Sequence, residues 1–102
     1  MLPENMAKLQ DFEICIKAGK ENRPDKKSAW IEELVRRKIK FNPDAIKNHT
    51  IHLDDTECDI FAAYGPPKRY NRRVNKYGTN VQFVYDGLYI YTENGIVTSW
   101  SD

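Results

Sequence analysis

The stretch Gly65-Pro66-Pro67-Lys68-Arg69-Tyr70-Asn71-Arg72-Arg73-Val74-Asn75-Lys76-Tyr77-Gly78 concentrates the residue types that grip a polyanion. It holds five basic residues, no acid and two tyrosines, whereas residues 1–64 set eleven bases against twelve acids. Cationic side chains neutralise phosphates and tyrosine rings stack on unpaired bases, so this is the composition of an RNA-binding loop. A solvated basic loop that binds nothing has the same composition. Scission of RNA by its own 2′-hydroxyl needs a proton acceptor, a donor for the leaving 5′-oxygen and cations around the phosphate. Lys, Arg and Tyr can divide those roles without a histidine. On this reading Arg72, Arg73, Tyr91 and Thr98 are the candidate catalytic residues. The candidate RNA-binding residues are Lys68, Arg69, Tyr70, Lys76, Tyr77, Tyr89 and Trp100.

Other constellations carry less. His49 and His52 precede Asp54, Asp55, Glu57 and Asp59, but the spacing fits no zinc pattern, and exposed helix-end histidines are expected. No phosphate-cradling glycine loop, dinucleotide fingerprint or nucleophile–histidine–acid order is present, so neither metal nor cofactor is expected. Cys15 and Cys58, without C-x-x-C spacing, are expected as reduced thiols of a cytosolic protein; arithmetic leaves a disulfide between them open.

With 102 residues the chain fits one domain, 1–102, with a helical half (1–50) and a sheet half (56–102). Aromatics make up 12% of it, which argues for a folded rather than a disordered chain. No apolar run approaches the ~20 residues of a membrane span, and Met1-Leu2-Pro3-Glu4-Asn5 has no signal-peptide pattern; no membrane partner is expected.

The elements that must position the basic stretch follow from spacing. Pro3 and Glu4 suit a first helical turn, Met6, Leu9, Phe12 and Ile16 recur at helical intervals, and Gly19 is a natural stop. A strand over Phe12–Ile16, which alternates, is the competing reading. After a polar connector at 21–27, Trp30, Ile31, Leu34, Val35 and Ile39 form an apolar helical stripe with Glu32, Glu33, Arg36 and Arg37 outside. Glu32–Arg36 and Glu33–Arg37 are i,i+4 pairs. Asn42-Pro43-Asp44 opens a third helix to about Asn48.

Beyond it the period changes to two. Cys58–Tyr64 is a plausible strand; Val81–Tyr85, Leu88–Thr92 and Ile96–Trp100 are better ones. Asp86-Gly87 and Asn94-Gly95 between them are two-residue hairpin turns. The first turn sets Tyr85 opposite Leu88, Phe83 opposite Ile90 and Gln82 opposite Tyr91. The second sets Ile90 opposite Ser99, Tyr91 opposite Thr98 and Tyr89 opposite Trp100, whereas a three-residue second loop would shift the last strand by one and swap Thr98 to the core side. One face then carries Val81, Phe83, Leu88, Ile90 and Val97 toward the helices, and the other carries Gln82, Tyr89, Tyr91, Thr98 and Trp100. The expected fold is α+β, two or three N-terminal helices packed on a C-terminal antiparallel sheet of about four strands.

This order of parts resembles the RelE-type ribonuclease toxins, most of all their MqsR branch. The resemblance rests on Ala18-Gly19-Lys20 ending a first helix, Ser28-Ala29 opening a second, and Phe41-Asn42-Pro43-Asp44-Ala45-Ile46. Leu53 to Asp59, the Lys68–Arg73 stretch and a terminal hairpin complete it. The ending Gly95-Ile96-Val97-Thr98-Ser99-Trp100 is similar to the last strand of barnase-like and contact-dependent toxin ribonucleases, where a threonine or serine lines the active site. The resemblance implies a metal-independent endoribonuclease acting on mRNA or tRNA, silenced by a cognate antitoxin or immunity protein. It also implies action in the cytoplasm, its own cell's or that of a target cell into which it is delivered. The alternative is a non-catalytic binding protein, an immunity-type, phage or regulatory inhibitor using the same basic stretch and aromatic sheet face.

Overall fold

The computed structural model describes residues 6–102; Pro3 and Glu4, expected to open the first helix, lie outside them. A 3₁₀ turn at Met6–Lys8 precedes four helices, α1 (Asp11–Lys20), α2 (Pro24–Arg36), α3 (Pro43–Asn48) and α4 (Glu57–Tyr64). Four strands follow, β1 (Arg69–Asn75), β2 (Gly78–Tyr85), β3 (Leu88–Glu93) and β4 (Ile96–Ser101), in one antiparallel meander of order β1-β2-β3-β4. The fold is α+β with its helices N-terminal to the sheet.

The helices differ from expectation in ways their local chemistry explains. α1 starts at Asp11, because the Gln10 N–H donates to the Glu13 carboxylate at 3.0 Å and so closes the first turn there. Gly19 lies inside α1 and does not stop it. A Cβ at this position would stand 1.9 Å from the Ala62 carbonyl oxygen, so only glycine lets α1 and α4 come this close. α2 begins inside the expected connector, with Pro24 in its first turn. Its stripe buries Trp30 and Leu34 but leaves Val35 62% exposed. Glu33, expected outside, is buried; it makes the expected pair with Arg37, and its bond to Arg36 replaces the expected Glu32–Arg36 pair. Asn42 caps α3 as expected, its side chain accepting from the Asp44 N–H.

Two corrections matter for function. Cys58–Tyr64 is helix, not strand: the Thr56 N–H donates to Asp59 Oδ2 at 3.0 Å, an N-terminal cap that starts α4. The fourth strand is instead Arg69–Asn75, so the basic stretch is not a loop but edge strand β1 and its hairpin turn into β2.

The first hairpin register is as expected, with Tyr85 paired to Leu88, Phe83 to Ile90 and Gln82 to Tyr91. In the second, Thr92 pairs with Val97, but a bulge then places Ser99 opposite Tyr91 and Trp100 opposite Ile90. One extra residue turns every later side chain over. Trp100 therefore shares the Ile90 face and does not join Tyr89 on the other.

Two hydrophobic clusters hold the molecule together. The first lies among the helices around Ile14, Leu34 and Ile46; the second joins Phe83, Ile90, Val97 and Val81 of the sheet to Ile60 of α4. Phe61 packs against both. Cys15 and Cys58 are bonded across α1 and α4, contrary to the expected free thiols, because the close helix approach at Gly19 brings their Cα atoms to 5.3 Å.

Candidate nucleic-acid interface

In an antiparallel sheet, directly paired residues project from the same face, so the registers assign every side chain of the site. Away from the helices, three rows cross the sheet: Arg73–Asn80–Glu93, then Asn71–Gln82–Tyr91–Ser99, then Arg69–Val84–Tyr89–Ser101. The first two rows, with Thr98 from the bulge, line a groove of about 570 Å³.

Its floor is ordered by side-chain hydrogen bonds. Asn71 Nδ2 donates to Gln82 Oε1 at 3.0 Å, and Gln82 Nε2 donates to the Tyr91 hydroxyl at 3.3 Å. The Tyr91 oxygen thus receives a hydrogen bond while its own proton stays available. Thr98 Oγ1 donates to the Tyr91 carbonyl at 3.3 Å, which seats the bulge against β3. Arg73 and Glu93 flank Asn80, two strand spacings or about 10 Å apart, one cationic and one anionic rim.

All four expected catalytic residues, Arg72, Arg73, Tyr91 and Thr98, border this groove, but the register turns only Arg73 and Tyr91 of the paired residues toward it. Arg72 pairs with Val81, whose side chain is buried toward the helices, so the Arg72 side chain projects from the opposite face. Adjacent arginines on a strand point opposite ways, and the expectation of a joint pair rested on reading the segment as a loop. Arg69 and Tyr89 belong to the outer face beside the groove, with Tyr70 on the helix side and Trp100 sharing that side. Lys76 and Tyr77 occupy the β1–β2 turn, where the Lys76 ammonium lies 5.1 Å from the Tyr77 ring and that ring is 82% exposed. Lys68 pairs with Asp86 at the opposite end of the sheet.

Sequence reasoning missed Asn71, Asn80, Glu93 and Ser99 in the groove. Asn71 and Ser99 become visible only once β1 is a strand and the bulge is placed. Asn80 lies in β2, which begins three residues before the expected strand, and Glu93 extends β3 one residue past its expected end. The histidines sit apart from it: His49 ends α3 in a left-handed conformation, and His52 Nε2 lies 3.4 Å from Asp44 Oδ2.

Behind β1, on the helix side, Tyr70 packs edge-on to Phe83 with ring centres 5.1 Å apart. Burial and the nearby Glu57 carboxylate hold the Tyr70 hydroxyl proton more tightly than usual. Glu57 also accepts from Thr92 Oγ1 at 2.9 Å, tying α4 to β3. Comparison of the chain with protein-family models, curated proteins and solved structures returned no match.

Proposed function

We propose that this domain is an endoribonuclease of the toxin type that cleaves mRNA or tRNA without a metal ion. The observation that carries the reading is the meeting of Arg73, Tyr91, Thr98 and Glu93 in one polar groove beside the basic edge strand. Arg73 holds the scissile phosphate and stabilises its transition-state charge. Glu93, the one carboxylate lining the groove among the described residues, takes the 2′-hydroxyl proton as the 2′-oxygen attacks phosphorus. The bond from phosphorus to the 5′-oxygen breaks, leaving a 2′,3′-cyclic phosphate. The departing oxygen takes its proton from Tyr91, and water reprotonates the phenolate. Thr98 positions the ribose, while Lys76, Tyr77, Arg69 and Tyr89 hold flanking nucleotides.

A cognate antitoxin or immunity protein would silence the enzyme by covering the groove. The Cys15–Cys58 bond forms readily in an oxidising compartment and poorly in a reducing one, which favours a protein delivered into a target cytoplasm over one confined to its own.

The purified domain, incubated with total RNA and a chelator, is expected to yield fragments ending in cyclic phosphate. Arg73→Ala, Glu93→Gln and Tyr91→Phe should each slow cleavage by about 10²-fold or more. Induced expression in bacteria should arrest growth. Intact RNA and normal growth would sink the proposal. A second reading, a binding protein without turnover, draws support from the separation of Arg72 from Arg73, which leaves one arginine where two were expected. Its signature is a stoichiometric complex with uncut RNA or a protein partner.

A further inference from the structure

β1 is an edge strand, so a ligand on its outer face can cross its free edge to the face behind. There, between β1 and helices α1 and α4, lies a cleft of about 850 Å³ walled by Phe12, Phe61, Pro67 and Tyr70. Phe12 is 42% and Tyr70 46% exposed, both more than their apolar surface favours. The aromatic rings run in series from Phe12 to Phe61, Phe83 and Tyr70, with neighbouring centres 5.1–5.4 Å apart. Edge-on packing against buried Phe83 fixes the Tyr70 ring as a rigid platform. Three charged groups, Asp11, Arg37 and Glu57, also line the cleft. Arg37 is consumed by Glu33, Asp11 and the carbonyls of Leu9 and Met6. The Glu57 carboxylate accepts from Thr92 Oγ1 and lies against the Tyr70 hydroxyl, which fixes it at the cleft wall.

We propose that this cleft takes an unpaired base of the bound RNA. The inference rests on the RNA reading above and adds where the base goes and what form of RNA is bound. Charge argues for this occupant: cations flank the strand edge on both faces, Arg69 and Arg73 outside and Arg72 on the helix side beside Tyr70. A backbone crossing the edge keeps its phosphates among these three arginines while a base turns inward onto Phe12 and Tyr70. Only a splayed base can enter, because paired bases stay stacked on their neighbours, so the protein selects single strands.

The test uses a fluorescent twelve-nucleotide strand of 2′-O-methyl RNA, which cannot be cleaved by its own 2′-oxygen. The same strand is also offered as a duplex and with abasic positions. Wild-type protein is expected to bind the single strand about tenfold or more tightly than either other probe. Phe12→Ala and Tyr70→Ala should each weaken single-strand binding about tenfold and leave the abasic strand unaffected, while Tyr70→Phe binds as wild type. Should Tyr70→Ala disturb folding by circular dichroism, Phe12→Ala, on α1 and away from the sheet core, decides alone. Equal binding of all three probes, or a single-strand affinity indifferent to Phe12→Ala, overturns the base site and leaves the RNA reading standing. Failure of the wild type to bind any probe overturns both. Aromatic variants that lose binding to a protein partner but not to RNA assign the cleft to that partner and overturn the proposal.

Discussion

Glu33 shows how one side chain can invert the role that periodicity gives it. Its position on α2 belongs to the polar side of the helix, yet it is only 7% exposed and anchors Arg36 and Arg37. Arg37 in turn holds the carbonyls of Met6 and Leu9, so the segment before α1 is fastened to α2 through Glu33. Hydrogen bonds from the two guanidinium groups push the Glu33 carboxyl down to about 2 from an ordinary 4.5. A folded-state value below the unfolded one contributes stability above pH 4.5 that is lost as pH falls toward 2. Asp59 acts with the opposite sign: burial raises its carboxyl, so its ionisation costs stability as pH rises through its titration. Urea midpoints between pH 2 and 6 should fall on the acid side for the wild-type protein. Glu33→Gln should be less stable at pH 6 and should flatten that acid limb; a limb of unchanged steepness would assign the acid loss to other carboxylates.

Among the elements, the three C-terminal strands were legible and β1 was not, for one physical reason. β2 and β3 alternate buried with more exposed residues and β4 buries Val97, and Gly87, Asn94 and Gly95 supply positive φ where the turns need it. β1 is exposed along all seven residues and carries arginines on both faces, so no alternation betrays it. The charges that hide it also guard its open edge against pairing with another chain. That gap hid the opposite orientation of Arg72 and Arg73, although Arg73, Tyr91 and Thr98, expected together, do line one groove. The bulge beside Thr98 has no sequence signature, and it moved Trp100 to the other face. α4 was misread because its eight residues are mostly apolar, although Thr56 and Asp59 carry the spacing of a helix start. α4 is also the element on which the packing converges, through Gly19 of α1 and the bond from Cys15 to Cys58. Gly19→Ala should cost about 1–3 kcal/mol, since a methyl there meets a backbone carbonyl that cannot yield alone. Reducing the disulfide, which spans 43 residues, should lower stability by about 2–4 kcal/mol. Urea titrations of oxidised, reduced and Gly19→Ala protein measure both, and an unchanged midpoint on reduction would contradict the second.

At the scale of the whole molecule, a net charge of +1 on a body of 43 × 28 × 22 Å gives little long-range pull on a polyanion. Any grip on RNA must come from the few cations that the fold leaves facing a ligand. Lys68 is paired with Asp86, and Arg36 and Arg37 are paired within the helices, so none of these adds much. Within the basic stretch, Arg69, Arg72, Arg73 and Lys76 remain, all on β1 or its turn. Three or four phosphate contacts to a single strand predict a slope of about −2 to −3 in log affinity against log salt concentration. Between 50 and 200 mM salt, affinity for the uncleavable single strand should therefore fall roughly 20- to 50-fold. Arg73→Ala should make the slope shallower by a little under one unit, and Arg72→Ala by the same amount if the strand crosses the edge of β1. Fluorescence anisotropy across a salt series measures each slope. A wild-type slope near zero would mean that the basic strand does not hold phosphates. A slope changed by Arg73→Ala but not by Arg72→Ala would confine the RNA to the outer groove and exclude passage to the aromatic cleft behind it.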